Sequence, residues 1–175
     1  WDDPPPPPPI RRFFPADVMD TLDHITHGDM LPAIWFVFSR RGCDNNVSLL
    51  QREGRVLVTA QERARIQAAV DELRASSPDA VRESAVEALL RGVAAHHAGL
   101  LPAWKMLVEK CFQAGLVKVV FATETLAAGI NMPARGVVLS SLSRRTGRNT
   151  HSLISPNSML QMAGRAGRRG YDEVG

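Results

Sequence analysis

Near the end of the chain lies a segment in which glutamine and arginines alternate with small residues. It reads Gln161-Met-Ala-Gly164-Arg165-Ala-Gly167-Arg168-Arg169-Gly170. Glycine allows a ligand to approach the backbone closely, and the planar guanidinium group of arginine matches phosphate oxygens better than the amine of lysine does. The pattern predicts phosphate contacts, and if a helix begins here Arg165 and Arg168 share one face. The alternative is an arginine-glycine tail that binds polyanions loosely.

The excess of positive charge is concentrated in the part of the chain that contains this segment. The formal net charge is only +3, yet residues 125–171 contain seven arginines and no aspartate or glutamate, so the remainder is net acidic. A one-sided distribution of this kind is typical of a surface that faces a polyanion rather than of general solubility.

Length and composition are those of one globular domain. The chain has 175 residues, of which 45% are hydrophobic, enough to bury a core.

Cys43 and Cys111 stand far apart without Cys-x-x-Cys spacing, which predicts neither a disulfide nor a zinc site and favours a reducing compartment. No apolar run reaches membrane-spanning length, and no signal-peptide core is present. We therefore expect a soluble, intracellular domain that does not enter a membrane, with its compartment left open.

The first residues form a separate segment. Six prolines, Pro4 to Pro9, favour an extended polyproline II conformation. Residues 1–15 are accordingly predicted to be a proline-rich linker, and residues 16–175 the folded domain. The alternative is a polyproline ligand for a partner of the SH3 or WW kind.

Apolar runs typical of buried strands alternate with helical patterns along the rest of the chain. Strands are expected at 33–38, 117–123 and 136–139, and residues 92–99 are expected to be a strand that runs into a loop. Helices are expected at 16–27, 61–73, from Ser77, from Pro102 to Gly115, and briefly after Glu124. Connections of this length between strands allow crossovers, so the order predicts an α/β fold with a parallel sheet flanked by helices.

Two polar features follow the predicted strands. Ser39 and Arg40 come directly after the first strand, at the sheet edge where ligands bind in open α/β folds, although a solvated turn would read the same way. His96 and His97 end the second strand. Adjacent residues on a strand point to opposite faces, and no third ligand is suitably spaced, so no metal site is predicted.

A hairpin is predicted between the sheet and the last helix. Residues 140–154 have β-compatible arms around a Gly/Asn turn and carry Arg144, Arg145 and Arg148. Ser155-Pro156-Asn157 then caps the helix that leads into the glutamine-arginine segment. The hairpin is expected to protrude and to present its arginines to a polyanion.

Four segments, taken together and in order, resemble the motifs of a helicase family. Phe36–Arg40 resembles motif IV, His96–Pro102 the His-His-x-Gly-Leu-Leu-Pro motif, Phe121–Arg135 motif V and Gln161–Arg168 motif VI. From about Asp17 onward the chain is similar to the second RecA-like domain of superkiller-type DExH-box RNA helicases of superfamily 2, which include bacterial members and the plant chloroplast helicase of the increased-size-exclusion-limit type.

The resemblance implies ATP-driven, 3′-to-5′ unwinding or remodelling of RNA. Carried over by position, it implies nucleic-acid contacts for Ser39, Arg40 and Thr123. It implies nucleotide contacts for Gly129 and Asn131. It makes Gln161, Arg165 and Arg168 catalytic residues that reach the ATP phosphates, the two arginines acting as arginine fingers.

One departure from the family limits this expectation. Neither Gly-x-x-x-x-Gly-Lys-[Ser/Thr] nor Asp-Glu-x-His occurs in these residues, so the phosphate loop, the Mg²⁺ carboxylate and the water-activating glutamate must come from elsewhere. We expect ATP and Mg²⁺ to be held mainly by an N-terminal RecA-like domain of the same polypeptide. A DNA helicase of the same superfamily and a non-catalytic RNA-binding module remain alternatives, and the oligomeric state is open.

Overall fold

A four-stranded parallel sheet forms the centre of the domain. A computed structural model describes residues 17–129, 131–145, 147 and 150–167, so the predicted linker, Arg148 and Arg168 lie outside the described residues. The strands are β1 (Ala33–Phe36), β2 (Val93–His96), β3 (Val119–Ala122) and β4 (Gly136–Leu139). Their spatial order is β2-β3-β1-β4, and all neighbours run parallel. The predicted α/β, RecA-like sheet is thereby confirmed.

Helices connect the strands and cover both faces of the sheet. They are α1 (Val18–His27), α2 (Arg40–Arg52), α3 (Ala60–Ser76), α4 (Glu83–Leu90), α5 (Pro102–Gln113), α6 (Leu126–Gly129) and α7 (Pro156–Ala163), with a 3₁₀ turn at Pro78–Ala80. No helix among the described residues is both long enough and apolar enough to cross a membrane.

Strand residues alternate between two apolar layers, as the two-residue period of a strand requires. On one face Trp35 and Phe121 lie beside each other with ring centroids 5.2 Å apart, and α1 and α2 cover them. On the other face Ile34 and Val120 pack under α3 and α5. Each strand is buried on both faces because helices cover both sides of the sheet.

Two helical predictions need correction. Residues 40–52 form α2, which was not predicted from the sequence although Cys43, Val47 and Leu50 are spaced to share one helical face and are all buried. The helix expected to begin at Ser77 is instead a single 3₁₀ turn followed by α4 at Glu83. Polar residues around the apolar stripe obscured the first helix, and the second is delayed because Val81 is extended.

The predicted hairpin is confirmed. Strand β5 (Ser143–Arg145) pairs antiparallel with β6 (His151–Leu153), and Arg144 lies opposite Ser152. Ser155 caps α7 by accepting a hydrogen bond from the Ser158 N–H at 3.1 Å. The hairpin therefore joins the last strand of the sheet to the helix that precedes the glutamine-arginine segment.

Two glycines in the left-handed region allow a test of this packing. Gly115 follows the end of α5 with φ of +73°, and no heavy atom lies within 4 Å of the point that a Cβ would occupy there. Gly92 has φ of +84°, and a Cβ at this position would lie 2.6 Å from Val58 Cγ1. Gly115→Ala should lower the free energy of unfolding by about 1–2 kcal/mol, the cost of left-handed backbone for an L-residue. Gly92→Ala should lower it further because of the added clash. Urea unfolding of both variants would measure this, and equal losses would contradict the packing around Gly92.

Candidate nucleic-acid and nucleotide interface

Three strand ends meet around one cavity at the carboxyl edge of the sheet. The strand-end cavity, about 220 Å³, is lined by residues that follow β1, β2 and β3: Phe38, Ser39, Arg40, Ala98, Thr123, Glu124 and Thr125. These residues converge because β3 lies between β2 and β1 in a parallel sheet, so all three strands end on the same side. This is the edge at which open α/β sheets bind ligands.

Hydroxyl groups contribute to the polar lining of the strand-end cavity. Ser39 caps α2, and its Oγ accepts a hydrogen bond from the Gly42 N–H at 2.9 Å. The Thr123 and Thr125 hydroxyls lie 3.0 Å apart. Arg40, the first residue of α2, is exposed beside them. Ser39, Arg40 and Thr123, the three residues expected to contact nucleic acid, therefore lie together.

The hairpin reaches the rim of the same cavity. Arg144 Nη1 donates to Glu124 Oε1 at 2.8 Å, with both side chains partly exposed. This ion pair joins β5 to the loop that follows β3. Arg145 is the last residue of β5, whereas Arg148 lies outside the described residues.

The second histidine of the pair links three elements beside the strand-end cavity. His97 is buried; its Nδ1 accepts a hydrogen bond from the Gly99 N–H at 3.1 Å. Its Nε2 therefore carries the proton and donates to Asp44 Oδ1 on α2, also at 3.1 Å. Asp44 in turn pairs with Arg82 at 3.1 Å. The network fixes the loop that follows β2 against α2 and the start of α4.

The first histidine points the other way, as the strand period predicted. His96 Nε2 lies 2.7 Å from Glu109 Oε1 on α5. Burial lowers the pKa of His96 below its usual value of 6.5, and the nearby carboxylate of Glu109 opposes that shift without reversing it. Within the described part of the chain, no three His, Cys, Asp or Glu side chains are grouped as metal ligands.

Motifs V and VI are joined through their backbones. A parallel bridge pairs Ala134 with Ala166, and the Ala134 N–H donates to the Arg165 carbonyl at 2.9 Å. Met132 and Met162, one from each segment, are fully buried. The two segments therefore pack as one unit and hold the residues on them in a fixed relation.

Arg165 lies just past the end of α7, so a helix start at this segment is wrong. The helix ends at Ala163, and Gly164 caps it. The Arg165 guanidinium donates to the Ala127 carbonyl of α6. A glycine-rich stretch after a helix favours termination rather than initiation, because glycine is common where helices end. The shared helical face proposed for Arg165 and Arg168 is consequently absent at Arg165.

The other predicted nucleotide contacts lie on or next to this unit. Gly129 ends α6. Asn131 is exposed, and its backbone carbonyl accepts a hydrogen bond from Gln113 at 2.7 Å. Gln161 is exposed on α7. Amide and guanidinium groups without any carboxylate between residues 125 and 171 fit an anionic phosphate ligand, whereas Mg²⁺ would require carboxylate ligands from elsewhere.

Three polar residues of this region were missed in the sequence analysis. Glu124 is adjacent in sequence to the predicted contact Thr123, and this was the available signal. Asp44 and Glu109 pair with His97 and His96 from 53 and 13 residues away. Such distant partners have no sequence signal, because only the fold brings them together.

Comparisons with known proteins agree with this geometry. Residues 40–170 match the helicase conserved C-terminal domain. The chain is 57% identical over 166 residues to the DExH-box ATP-dependent RNA helicase DExH15, chloroplastic, of Arabidopsis thaliana, covering 95% of the chain and 14% of that protein. It is 51% identical to the probable helicase HelY of Mycobacterium tuberculosis strain H37Rv, covering 83% and 17%. It is 45% identical to the Superkiller complex protein 2 of Homo sapiens, covering 83% and 12%.

The parallel sheet and the joined motif segments define a RecA-like helicase domain of the α/β class. More particularly, this chain belongs to the helicase conserved C-terminal domain family, and the relatives it matches are superkiller-type DExH-box helicases. It spans less than a fifth of the length of each of these relatives.

The lowered pKa of His96 predicts a pH dependence of stability. Below about pH 6.5 the unfolded chain binds a proton at His96 more readily than the folded chain does, so the free energy of unfolding should fall as pH is lowered from 7 to 5.5. The pKa values of Glu62 and Glu87 are lowered by basic partners. These two carboxylates should therefore reduce the free energy of unfolding only when the pH falls below about 4.5. Urea unfolding at pH 7 and 5.5 measures the slope. His96→Gln should flatten it, and an unchanged slope in that variant would assign the effect to another group.

Proposed function

We propose that this chain is the C-terminal RecA-like half of an ATP-dependent RNA helicase. The observation that carries the proposal is the backbone bridge between Ala134 and Ala166. It joins the segment that would bind phosphate to a stretch of chain that leads back through α6 to Thr123 and Thr125 of the strand-end cavity. Movement of the ATP-facing residues is thereby coupled to the residues that would contact nucleic acid. The names of the relatives support the same class, since DExH15 is named an ATP-dependent RNA helicase.

On the nucleic-acid side, Ser39, Arg40 and Thr123 contact the sugar-phosphate backbone. Their hydroxyls and guanidinium group are suitable donors to phosphate oxygens. The clustering of the three in the strand-end cavity supports this role. Arg144, Arg145 and Arg148 extend the contact along the hairpin, where the strands of a duplex separate.

On the nucleotide side, Gln161, Arg165 and Arg168 face the ATP phosphates, with Gly129 and Asn131 beside the nucleotide. ATP supplies the phosphoryl group whose transfer to water drives the cycle, and it is held with Mg²⁺ mainly by the N-terminal RecA-like domain. The guanidinium groups stabilise charge that develops on the phosphate oxygens. A guanidinium group has several N–H donors, so the bond of Arg165 to the Ala127 carbonyl is compatible with a phosphate contact.

Coupling follows from the continuity of the chain between the two sides. Residues 123–134 run from the strand-end cavity through α6 to the bridge with Ala166. A shift of Arg165 towards phosphate on closure of the two domains pulls on this segment and changes the grip on the nucleic-acid backbone. Hydrolysis and reopening reverse the change.

Arg168 gives the most direct test of the finger assignment. In the full-length helicase, Arg168→Ala should reduce ATP hydrolysis at saturating RNA by roughly a thousandfold, the usual effect of removing an arginine finger, because charge on the phosphates is left unstabilised. RNA affinity without ATP should stay nearly unchanged. Arg168→Lys should restore activity only partly, since an ammonium lacks the planar fork. If Arg168→Ala instead weakens RNA binding and leaves hydrolysis intact, the segment is a polyanion-binding tail.

The hairpin arginines should affect nucleic acid rather than hydrolysis. Replacement of Arg144, Arg145 and Arg148 by Ala should weaken RNA binding and reduce the slope of log affinity against log salt by roughly two to three, because about 0.7–0.9 is lost per phosphate contact. ATPase activity at saturating RNA should be retained while unwinding is lost. Arg52→Ala/Arg65→Ala/Lys110→Ala, which removes the same number of positive charges from exposed positions on α2, α3 and α5, is the matched control. If the hairpin variant and the control variant show the same slope of log affinity against log salt, the hairpin arginines do not contact phosphate.

A further inference from the structure

A carboxylate lies where the proposed function places nucleic-acid phosphates. Glu124 lines the strand-end cavity beside Ser39 and Thr123. An ionised carboxylate repels phosphate, so its presence in a cavity otherwise lined by hydroxyls and an arginine requires a reason. Electrostatics alone would favour a neutral or basic residue at this position.

The carboxylate is held in place and partly neutralised. Its Oε1 accepts the 2.8 Å hydrogen bond from Arg144, and its side chain is 37% exposed. Among the described residues Oε2 has no hydrogen-bond donor. Arg144 thus offsets the charge and orients the group, while one oxygen is left to accept a hydrogen bond from a ligand in the cavity.

The backbone of a nucleic acid offers few donors to such an oxygen. Phosphate groups and deoxyribose within a strand have none, whereas each ribose carries a 2′-hydroxyl that donates as well as accepts. A carboxylate among phosphate contacts is therefore complementary to a ribose and not to a deoxyribose.

We propose that Glu124 accepts a hydrogen bond from the 2′-hydroxyl of a ribose seated in the strand-end cavity and thereby discriminates RNA from DNA. The proposal rests on the proposed function, since it requires nucleic acid in this cavity. Arg144 is a positioning residue for Glu124 in addition to its place on the hairpin. The preference arises because a deoxyribose leaves Oε2 of Glu124 without a donor, while Oε1 keeps its bond to Arg144.

The test uses the full-length helicase and three single strands of one sequence: RNA, DNA and RNA with 2′-fluoro groups. Fluorine keeps an electronegative group on the ribose but removes the hydroxyl donor. Wild-type protein should bind RNA about tenfold more tightly than 2′-fluoro RNA, in line with one hydrogen bond to a charged group. Glu124→Ala should bind RNA and 2′-fluoro RNA equally, with its affinity for DNA unchanged or raised. Glu124→Gln, which retains an acceptor oxygen, should lose less.

Two further variants separate the possible failures. Ser39→Ala/Thr123→Val should weaken RNA and DNA binding alike; no change with either polymer would overturn the proposed function itself. Arg144→Ala should weaken the binding of all three single strands, because a phosphate contact is lost. It should also reduce the difference in affinity between RNA and 2′-fluoro RNA, because Glu124 is no longer held in position.

If the Ser39/Thr123 variant behaves as expected, two results would overturn the sugar-reading role of Glu124 alone. One is a wild-type protein that binds 2′-fluoro RNA as tightly as RNA. The other is a loss in Glu124→Ala that is the same for RNA, DNA and 2′-fluoro RNA, or that appears only with bases bearing amino groups. The last result would assign the carboxylate to a base.

Discussion

The parallel pairing of β3 with β1 on one side and β2 on the other is the constraint on which the site depends. It places the ends of three strands side by side, and Ser39, Ala98 and Thr123 meet there although 84 residues separate the first from the last in sequence. An antiparallel neighbour would send one of these ends to the opposite edge. The apolar faces of the strands secure the pairing, since Trp35 and Phe121 are in register and in contact.

Much of this architecture could be predicted from the sequence because its signals are local. Apolar runs identified β1, β3 and β4, and Pro102 and Gly115 marked the two ends of α5 closely. Helix α2 was not predicted because only three of its residues are buried. They lie among arginines and asparagines, so the sequence resembles a solvated turn. Ser39 was selected correctly as a strand-end residue, yet its role as a helix cap depends on a helix that was not recognised.

The polar partners of the site could not be predicted in the same way. His97 and Asp44 are far apart in the chain, and their pairing depends on how α2 packs beside the end of β2. The ion pair of Glu124 with Arg144 likewise needs the hairpin to fold back over the loop after β3. The resemblance to helicase motifs named Thr123 but assigned nothing to the acidic residue that follows it. Geometry, rather than composition, shows that this carboxylate lines the cavity.

The contact between the Arg165 guanidinium and the Ala127 carbonyl gives a structural role to a side chain that is also proposed to contact phosphate. As a structural bond it supplies a donor to α6; in the proposed function the same guanidinium also faces the ATP phosphates. In the proposed function, selection for folding and selection for catalysis therefore act on the same guanidinium group, and a substitution that satisfies one need not satisfy the other. Tolerance to mutation at this position should be set by the stricter of the two demands, which leaves arginine with few substitutes even in a catalytically idle relative.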